Sequence, residues 1–503
     1  MGGRGRRAIG HALFCILPLL FLSTAQAAVK GWDSAPWLAD LAQMRAAMER
    51  DYPNRDWLTG ERELSLDRLF AQAGDAIRTG QGDGDARRAL DRLVERVRDG
   101  HVALRWPVAD RDGNERSGGP DPRPTTVAAF CVARGYDAGQ VTAGTAAAMP
   151  GYRAVDNDTP FATGMVEAGG AKVGVLRIGV FSPQGYPRLC EWAVAGERVA
   201  LDRPCDEGCE DRVLTAAYAA MTRGLMAAVE RLRDAGVGTL MVDLTRNGGG
   251  SEWAEAAARI LSARPLRSAP LAVLRGQGWV ERWQALASRL RAQARAASAA
   301  DRALLTDGAE RAEAIARGLK PCPAGDDCAR LGSVGFASGL WPERPAGQLE
   351  GKPWAADLFS PAQFPYRDGV WQGPLILLVD GQTWSAAEQF AALLRDNGAA
   401  VVMGERTGGA GCGHLYGNEP IVLAHSGARL ELPNCARFRR DGSNEVGGIV
   451  PDVPTGVRWN DGAGFAGRLT VARLADAVAL AGASRQAGPI GSVPAPRRQI
   501  PPR

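Results

Sequence analysis

Ser385 stands where a chain element changes type. Pro374 to Val379 is a short apolar run of the kind a fully buried strand shows, and Asp380-Gly381 punctuates it. Ser385 to Leu394 then carries helical spacing, with Ala386, Phe390 and Leu394 on one side. A hydroxyl at such a junction projects from a fixed backbone. The free N–H groups of the first helical turn point at its surroundings. Nucleophilic attack is the chemistry that suits it, because developing oxyanion charge would meet those donors. A serine N-cap, which needs no chemistry, fits the same position.

Val237 to Gly250 offers a second such junction. It reads VGTLMVDLTRNGGG and opens a helix at Glu252. Asn247-Gly248-Gly249-Gly250 is poor in side chains, so its N–H groups can approach a ligand closely. Its readings are an oxyanion hole or a tight turn feeding the helix. A phosphate loop is disfavoured, since no Lys-Ser/Thr follows.

Together the two stretches resemble the C-terminal processing peptidases and the tricorn protease core, a family of serine peptidases. The family pattern is a strand, then D-L-R-x-N-G-G-G, then a later strand ending in S-A-S-E. Here Asp243-Leu244-Thr245 precedes Arg246, one place late, and Ser385-Ala386-Ala387-Glu388 closes the second motif. The resemblance covers roughly residues 171–270 and 370–455. It implies an α/β fold with a crotonase-like and ClpP-like spiral core of ββα units. It makes Ser385 the nucleophile, with oxyanion donors from Ala386 and from Gly249 or Gly250.

The base departs from the usual pattern. Typical members carry a lysine in G-E-x-T-x-G-K-G, and here Gly404 to Gly411 places Ala410 at that position. Lys30, Lys172, Lys320 and Lys352 all precede Ser385. Arg406 stays protonated and cannot act as a base. The tricorn-like branch instead takes its base from a D-x-H motif after an N-terminal helical region, which Asp99-Gly100-His101 matches. That branch also has a glutamate before G-x-x-P-D, which Glu445 matches ahead of Gly448 to Asp452. A carboxylate there would accept the histidine Nδ1–H and fix its tautomer. The resemblance thus implies Ser385, His101 and Glu445. His414 is a rival base, and Glu405, Glu419 and Glu431 are rival carboxylates without the motif.

Other elements must position these groups. Residues 1–27 read as an export signal: Arg4, Arg6 and Arg7, an apolar Ala12 to Leu22, and Ala25-Gln26-Ala27 as cleavage site. No other stretch is apolar enough to span a bilayer. The mature chain is expected to be periplasmic or secreted. Residues 28–105 read as a helical N-terminal domain, with apolar faces at Leu38/Leu41/Met44/Met48, Leu66/Leu69/Phe70/Ile77 and Leu90/Leu93/Val94/Val97. Residues 106–170 read as a linker or a degenerate PDZ-like segment. The core halves are 171–275 and 371–460. A helical cap with a loop-rich insertion, 276–370, separates them, and 461–503 forms a C-terminal helix and Pro-rich tail.

Composition narrows the rest. The net charge of +4 owes three units to the leader's arginines, which leaves no basic surface for nucleic acid. Of nine cysteines, Cys15 falls in the leader, and the remaining even number suits disulfides in an oxidising compartment. Cys412 and Cys435 flank an expected hairpin of 421–423 and 429–432, so they are expected to pair. Cys322/Cys328 and Cys205/Cys209 could close short loops. A zinc site at Cys205 and Cys209 lacks further ligands at suitable spacing. No metal or cofactor is expected, and the partner is a peptide or protein substrate. Two functions stand: an exported serine peptidase, or a non-catalytic peptide- or small-ligand-binding protein on the same fold, like the family's retinoid-binding relatives. The oligomeric state is not encoded legibly.

Overall fold

A computed structural model describes residues 32–107, 124–155, 159–323, 328–417, 419–458 and 460–486. The stretch read as an export signal, most of the 106–125 loop and the Pro-rich tail lie outside the described residues. The three apolar faces near the N-terminus become the helices Ala35–Asp51, Leu66–Thr79 and Asp83–Val97, with a short Arg55–Gly60 helix between the first two. The Ser65 hydroxyl caps the Leu66–Thr79 helix by accepting the Arg68 N–H at 3.3 Å. Met44, Met48, Leu69, Phe70, Ile77, Leu90 and Leu93 bury their side chains in one core. Leu423, Leu430 and Leu432, far along the chain, complete it.

A small sheet makes that long-range link. Strand Ala103–Arg105 pairs antiparallel with Arg429–Glu431, which also pairs with Ile421–Val422 as the expected hairpin. The helical region is therefore pinned to the C-terminal half, and His101 stands two residues before the pinning strand.

The main sheet runs, edge to edge, Val453–Pro454, Val401–Gly404, Leu375–Val379, Thr239–Asp243, Ala171–Arg177, Thr163–Ala168 and Arg153–Val155. The first five strands are parallel and the last two antiparallel. Leu375–Val379 and Thr239–Asp243 are buried along their whole length, which explains their continuous apolar runs. They lie side by side, with Leu240 opposite Leu375 and Asp243 opposite Leu378. Their C-terminal ends therefore meet at one edge of the sheet, where open α/β sheets offer a ligand crevice. Helices Pro187–Gly196, Glu207–Asp234, Trp253–Ile260 and Ala386–Asp396 pack on one face. Helix Ala463–Gln486 packs on the other. The class is α/β, as expected.

Two regions differ from the sequence reading. Residues 153–155 and 163–168, within the stretch read as linker or PDZ-like, are the last two strands of the main sheet, with 153–155 at its edge. They are short, and Gly164 interrupts the side-chain pattern because the Tyr152 ring fills its Cβ position. The insertion also carries a strand, Leu331–Phe336, where only loop was read. It joins Pro270–Leu274 and Cys435–Arg437 in a third sheet. The expected cap helices, Gln277–Ala296 and Ala299–Gly318, pack over that sheet.

The structure pairs Cys412 with Cys435, Cys322 with Cys328 and Cys205 with Cys209, at Cα separations of 5.6, 6.1 and 5.3 Å. Cys131 and Cys190 form a fourth bridge. No helix among the described residues is long and apolar enough to cross a membrane.

Candidate active site

Ser385 occupies a tight strand-to-helix turn. Its backbone sits at φ +54°, ψ −116°, a region a non-glycine residue enters only under constraint. The constraints are visible. The Thr383 hydroxyl donates to the Leu244 carbonyl at 3.0 Å, and the Trp384 N–H donates to the Asn247 carbonyl at 2.9 Å. The Ser385 N–H donates to the Glu388 carboxylate at 3.0 Å. Both strand ends are thereby locked together, with the hydroxyl presented between them.

His101 arrives from the N-terminal region. Arg98 ends the preceding helix in a left-handed conformation (φ +53°), and Asp99 then organises the turn. Its carboxylate accepts the His101 N–H at 3.0 Å, the Tyr52 hydroxyl at 3.0 Å and the Asn54 amide at 2.9 Å. Burial pushes the Asp99 carboxyl up to about 6, against the pull of those donors. The Gly100 N–H donates to the Gly409 carbonyl at 3.0 Å. Gly100 is needed there, since an added Cβ would lie 2.9 Å from the Ala410 Cβ.

The structure brings His101 and Ser385 together: Nε2 lies 3.2 Å from the Ser385 Oγ. The other ring nitrogen, Nδ1, lies 2.6 Å from the Ala410 carbonyl oxygen. A carbonyl can only accept, so this contact puts the proton on Nδ1. Nε2 is left with its lone pair towards the serine hydroxyl. Burial lowers the His101 pKa, the Ala410 carbonyl opposes this, Arg437 lowers it further and Glu445 raises it. His414, the rival, lies with its ring centroid 6.0 Å from that of His101. Its own pKa is lowered, first by burial and then by His101.

Glu445 is not on the histidine. Its buried carboxylate takes both Nε and Nη2 of Arg437, at 2.7 and 2.6 Å. The expected Nδ1–H···Glu445 bond is replaced by the bond to Ala410. The reason is electrostatic: Arg437 is a buried guanidinium and needs a bidentate counter-ion more than a neutral imidazole does. Arg437 in turn donates to the carbonyls of Gly411 at 3.0 Å and Ser385 at 3.4 Å.

Glu388 is the residue the sequence reading left without a role. Its carboxylate accepts from four groups: the Thr407 hydroxyl at 2.6 Å, the Gly409 and Ala410 N–H groups at 2.8 Å each, and the Ser385 N–H. One side chain thus ties the Ser385 backbone to the loop that grips His101. Burial raises its pKa to about 7, with Glu445 adding to the rise and the donors opposing it. The S-x-x-E spacing of a capping box was the available signal.

The glycine loop lies against the serine. A Cβ on Gly249 would fall 2.7 Å from the Ser385 Cβ and 3.0 Å from the Ala386 nitrogen, and φ is +107°. The Gly249 N–H, expected as an oxyanion donor, donates to the Asn247 side chain at 2.8 Å instead, the short Asn-turn closing on itself. Gly250 (φ +139°) packs on Phe181, whose carbonyl carbon would lie 2.5 Å from its Cβ. Ala386 is the first residue of its helix, so its N–H has no intrahelical acceptor.

Residues 213–455 match the model of peptidase family S41, a range that excludes His101. Among solved structures, mature CPAF is 15% identical with a TM-score of 0.56, over 91% of this chain and 99% of that one. Mature CPAF complexed with lactacystin is likewise 15% identical with a TM-score of 0.57, over 90% of this chain and 98% of that one. At that identity the likeness is one of fold. Residues 213–455, which span both motifs and the strands that deliver them, thus form a domain of peptidase family S41, the C-terminal processing peptidases, and the chain is a serine-type peptidase.

Proposed function

We propose that the protein is an exported peptidase that hydrolyses peptide bonds through an acyl-enzyme on Ser385, with His101 as general base. The observation that carries this is the pair of contacts on one imidazole: Nε2 on the Ser385 Oγ and Nδ1 on a carbonyl. The Ser385 proton passes to Nε2 as Oγ attacks the scissile carbonyl carbon. The oxyanion that forms meets the Ala386 N–H, with a second donor from the 248–250 loop. As the intermediate collapses, His101 returns the proton to the leaving amine. Water then attacks the acyl-enzyme, giving its proton to Nε2, and the released serine recovers one.

Glu445 acts at one remove. It holds Arg437, which holds the carbonyls of Ser385 and Gly411, and its charge favours the imidazolium that forms. Histidine from the N-terminal region fills the role of the missing lysine, which supports hydrolysis over the ligand-binding reading. The leader and four disulfides support export to the periplasm or beyond.

Fluorophosphonate labelling of the mature protein, with peptide mapping, tests the reading. Wild type should carry the label on Ser385, and Ser385→Ala should neither label nor hydrolyse peptides. Lactacystin, with which mature CPAF forms a complex, is a second probe. Undiminished hydrolysis by Ser385→Ala would sink the mechanism.

A further inference from the structure

Resting on the Ser385–His101 reading, we propose that the Cys412–Cys435 disulfide is a positioning element of the catalytic pair. It fastens the loop that grips His101 to the strand that carries Arg437. Residues 411–417 form no helix or strand. Even so, three backbone positions around Cys412 touch the site. The Ala410 carbonyl accepts from Nδ1 of His101 at 2.6 Å. The Gly411 carbonyl accepts from Nη2 of Arg437 at 3.0 Å. Gly413 lies against the imidazole so closely that an added Cβ would be 2.7 Å from Nε2. Both ring nitrogens of the base are therefore bounded by residues within two positions of Cys412.

The other end of the bridge is equally placed. Cys435 begins the Cys435–Arg437 strand, two residues before Arg437 and on the same face by strand alternation. Besides the Arg437–Gly411 bond, the loop's hydrogen bonds here meet the strand's neighbour, Asn434. The Asn434 N–H donates to the Gly413 carbonyl at 2.9 Å, and its side chain accepts from Leu415 N–H at 2.8 Å and donates to the Leu415 carbonyl at 3.1 Å. Asn434-Cys435 thus anchors the loop beyond Gly411, beside the holds of Arg437 on Gly411 and of Glu388 on Gly409 and Ala410, and the disulfide is the covalent tie among them. Both sulfurs are buried in the core beneath the helical cap.

Opening the bridge leaves the Ala410 carbonyl and Gly413 held by hydrogen bonds alone, through Glu388, Arg437 and Asn434, so that they can shift relative to Ser385 while the main sheet and the serine turn keep their own ties. The loss should therefore fall on the chemical step. Cys412→Ala/Cys435→Ala is expected to lower kcat by about 10- to 100-fold, the scale of a misplacement near 1 Å, with KM within roughly threefold. The rate of fluorophosphonate labelling at Ser385 should fall in parallel. Cys205→Ser/Cys209→Ser, which loses a bridge at the start of the Glu207–Asp234 helix, should keep wild-type kcat. If the alanine pair does not fold, Cys412→Ala/Cys435→Val, which refills the buried volume, carries the comparison. Circular dichroism and thermal melting establish the folded state of each. A folded variant without the 412–435 bridge that keeps wild-type kcat and labelling rate overturns the proposal. So does failure of both variants to fold, which would assign the bridge to the fold alone. Absence of any Ser385-dependent hydrolysis in wild type would strike the proposed function instead.

Discussion

The imidazole Nδ1 of His101 lies 2.6 Å from the carbonyl oxygen of Ala410, the residue that stands where the family motif carries its lysine. A backbone group at the position of the family's lysine thus holds the imidazole that we propose as the base. The opposite side of the ring is just as closely bounded. Gly413→Ala would place a methyl group 2.7 Å from Nε2, on the nitrogen that must receive the serine proton. Its φ lies outside the left-handed range, so backbone strain adds nothing. We expect kcat to fall roughly 10- to 100-fold with little change in melting temperature. Steady-state kinetics beside a thermal melt decide it; a large drop in stability at full specific activity would show the contact to be incidental.

Glu388→Gln removes the anion on which four donors converge. An amide offers one acceptor oxygen, so some of the Ser385, Ala410, Gly409 and Thr407 donors lose their partner. Each buried donor left unmatched costs about 1–3 kcal/mol, so denaturant unfolding should show a loss of several kcal/mol. Activity should fall further than stability alone explains, because the same carboxylate spaces the serine from the Ala410 loop. Retention of wild-type kcat in the folded variant would limit Glu388 to capping its helix.

What the sequence shows and hides follows from the kind of group involved. Ser385 and the glycine loop could be placed because apolar runs and Gly clusters mark a buried strand and its exit, and the resemblance supplied the roles that position alone left open. His101 was legible through the resemblance of Asp99-Gly100-His101 to a D-x-H motif, the turn signal placing it just before an extended run. The Ala410 carbonyl was not, since every residue type carries one and its placement depends on tertiary folding. The partner of Glu445 was hidden likewise. Arg437 lies eight residues away in sequence, but only burial of both makes the pair obligatory. The strand at 153–155 was too short for two-residue alternation to show, and Gly164 breaks the pattern of the one at 163–168.

The pH dependence follows from two groups that must both be deprotonated for turnover. Burial lowers His101 from 6.5, so its neutral form persists to lower pH than a free imidazole's. Glu388 is raised to about 7, and as an acid it would lose one of its acceptor sites. The acid limb of kcat/KM should therefore have its midpoint near 7, set by Glu388. The stability signs are opposite. A depressed His101 contributes stability that is full above 6.5 and lost as pH falls below it. A raised Glu388 contributes stability that is full below 4.5 and lost as pH rises through about 7. Rate profiles of wild type test the first statement. An acid limb centred well below 6.5 would mean that Glu388 stays ionised throughout and that His101 alone governs.

The buried pair of Arg437 and Glu445 gives the last prediction. The guanidinium and the carboxylate are 6% and 0% exposed at their side chains, and they meet through two parallel hydrogen bonds. Removing one partner leaves the other charge buried without a counter-ion, a loss of about 3–5 kcal/mol. Glu445→Gln and Arg437→Met should each destabilise the fold by that order in denaturant titrations. The double change Arg437→Met/Glu445→Leu removes both charges, so it should cost far less than the sum of the singles. Activity should not recover in step. The carbonyls of Ser385 and Gly411 lose their Arg437 donor in the double variant. A stable but slow double variant, with kcat well below wild type, is the expected result. If Glu445 instead served His101 directly, Glu445→Gln would depress kcat while leaving stability nearly unchanged, and the Arg437 substitution would not be coupled to it.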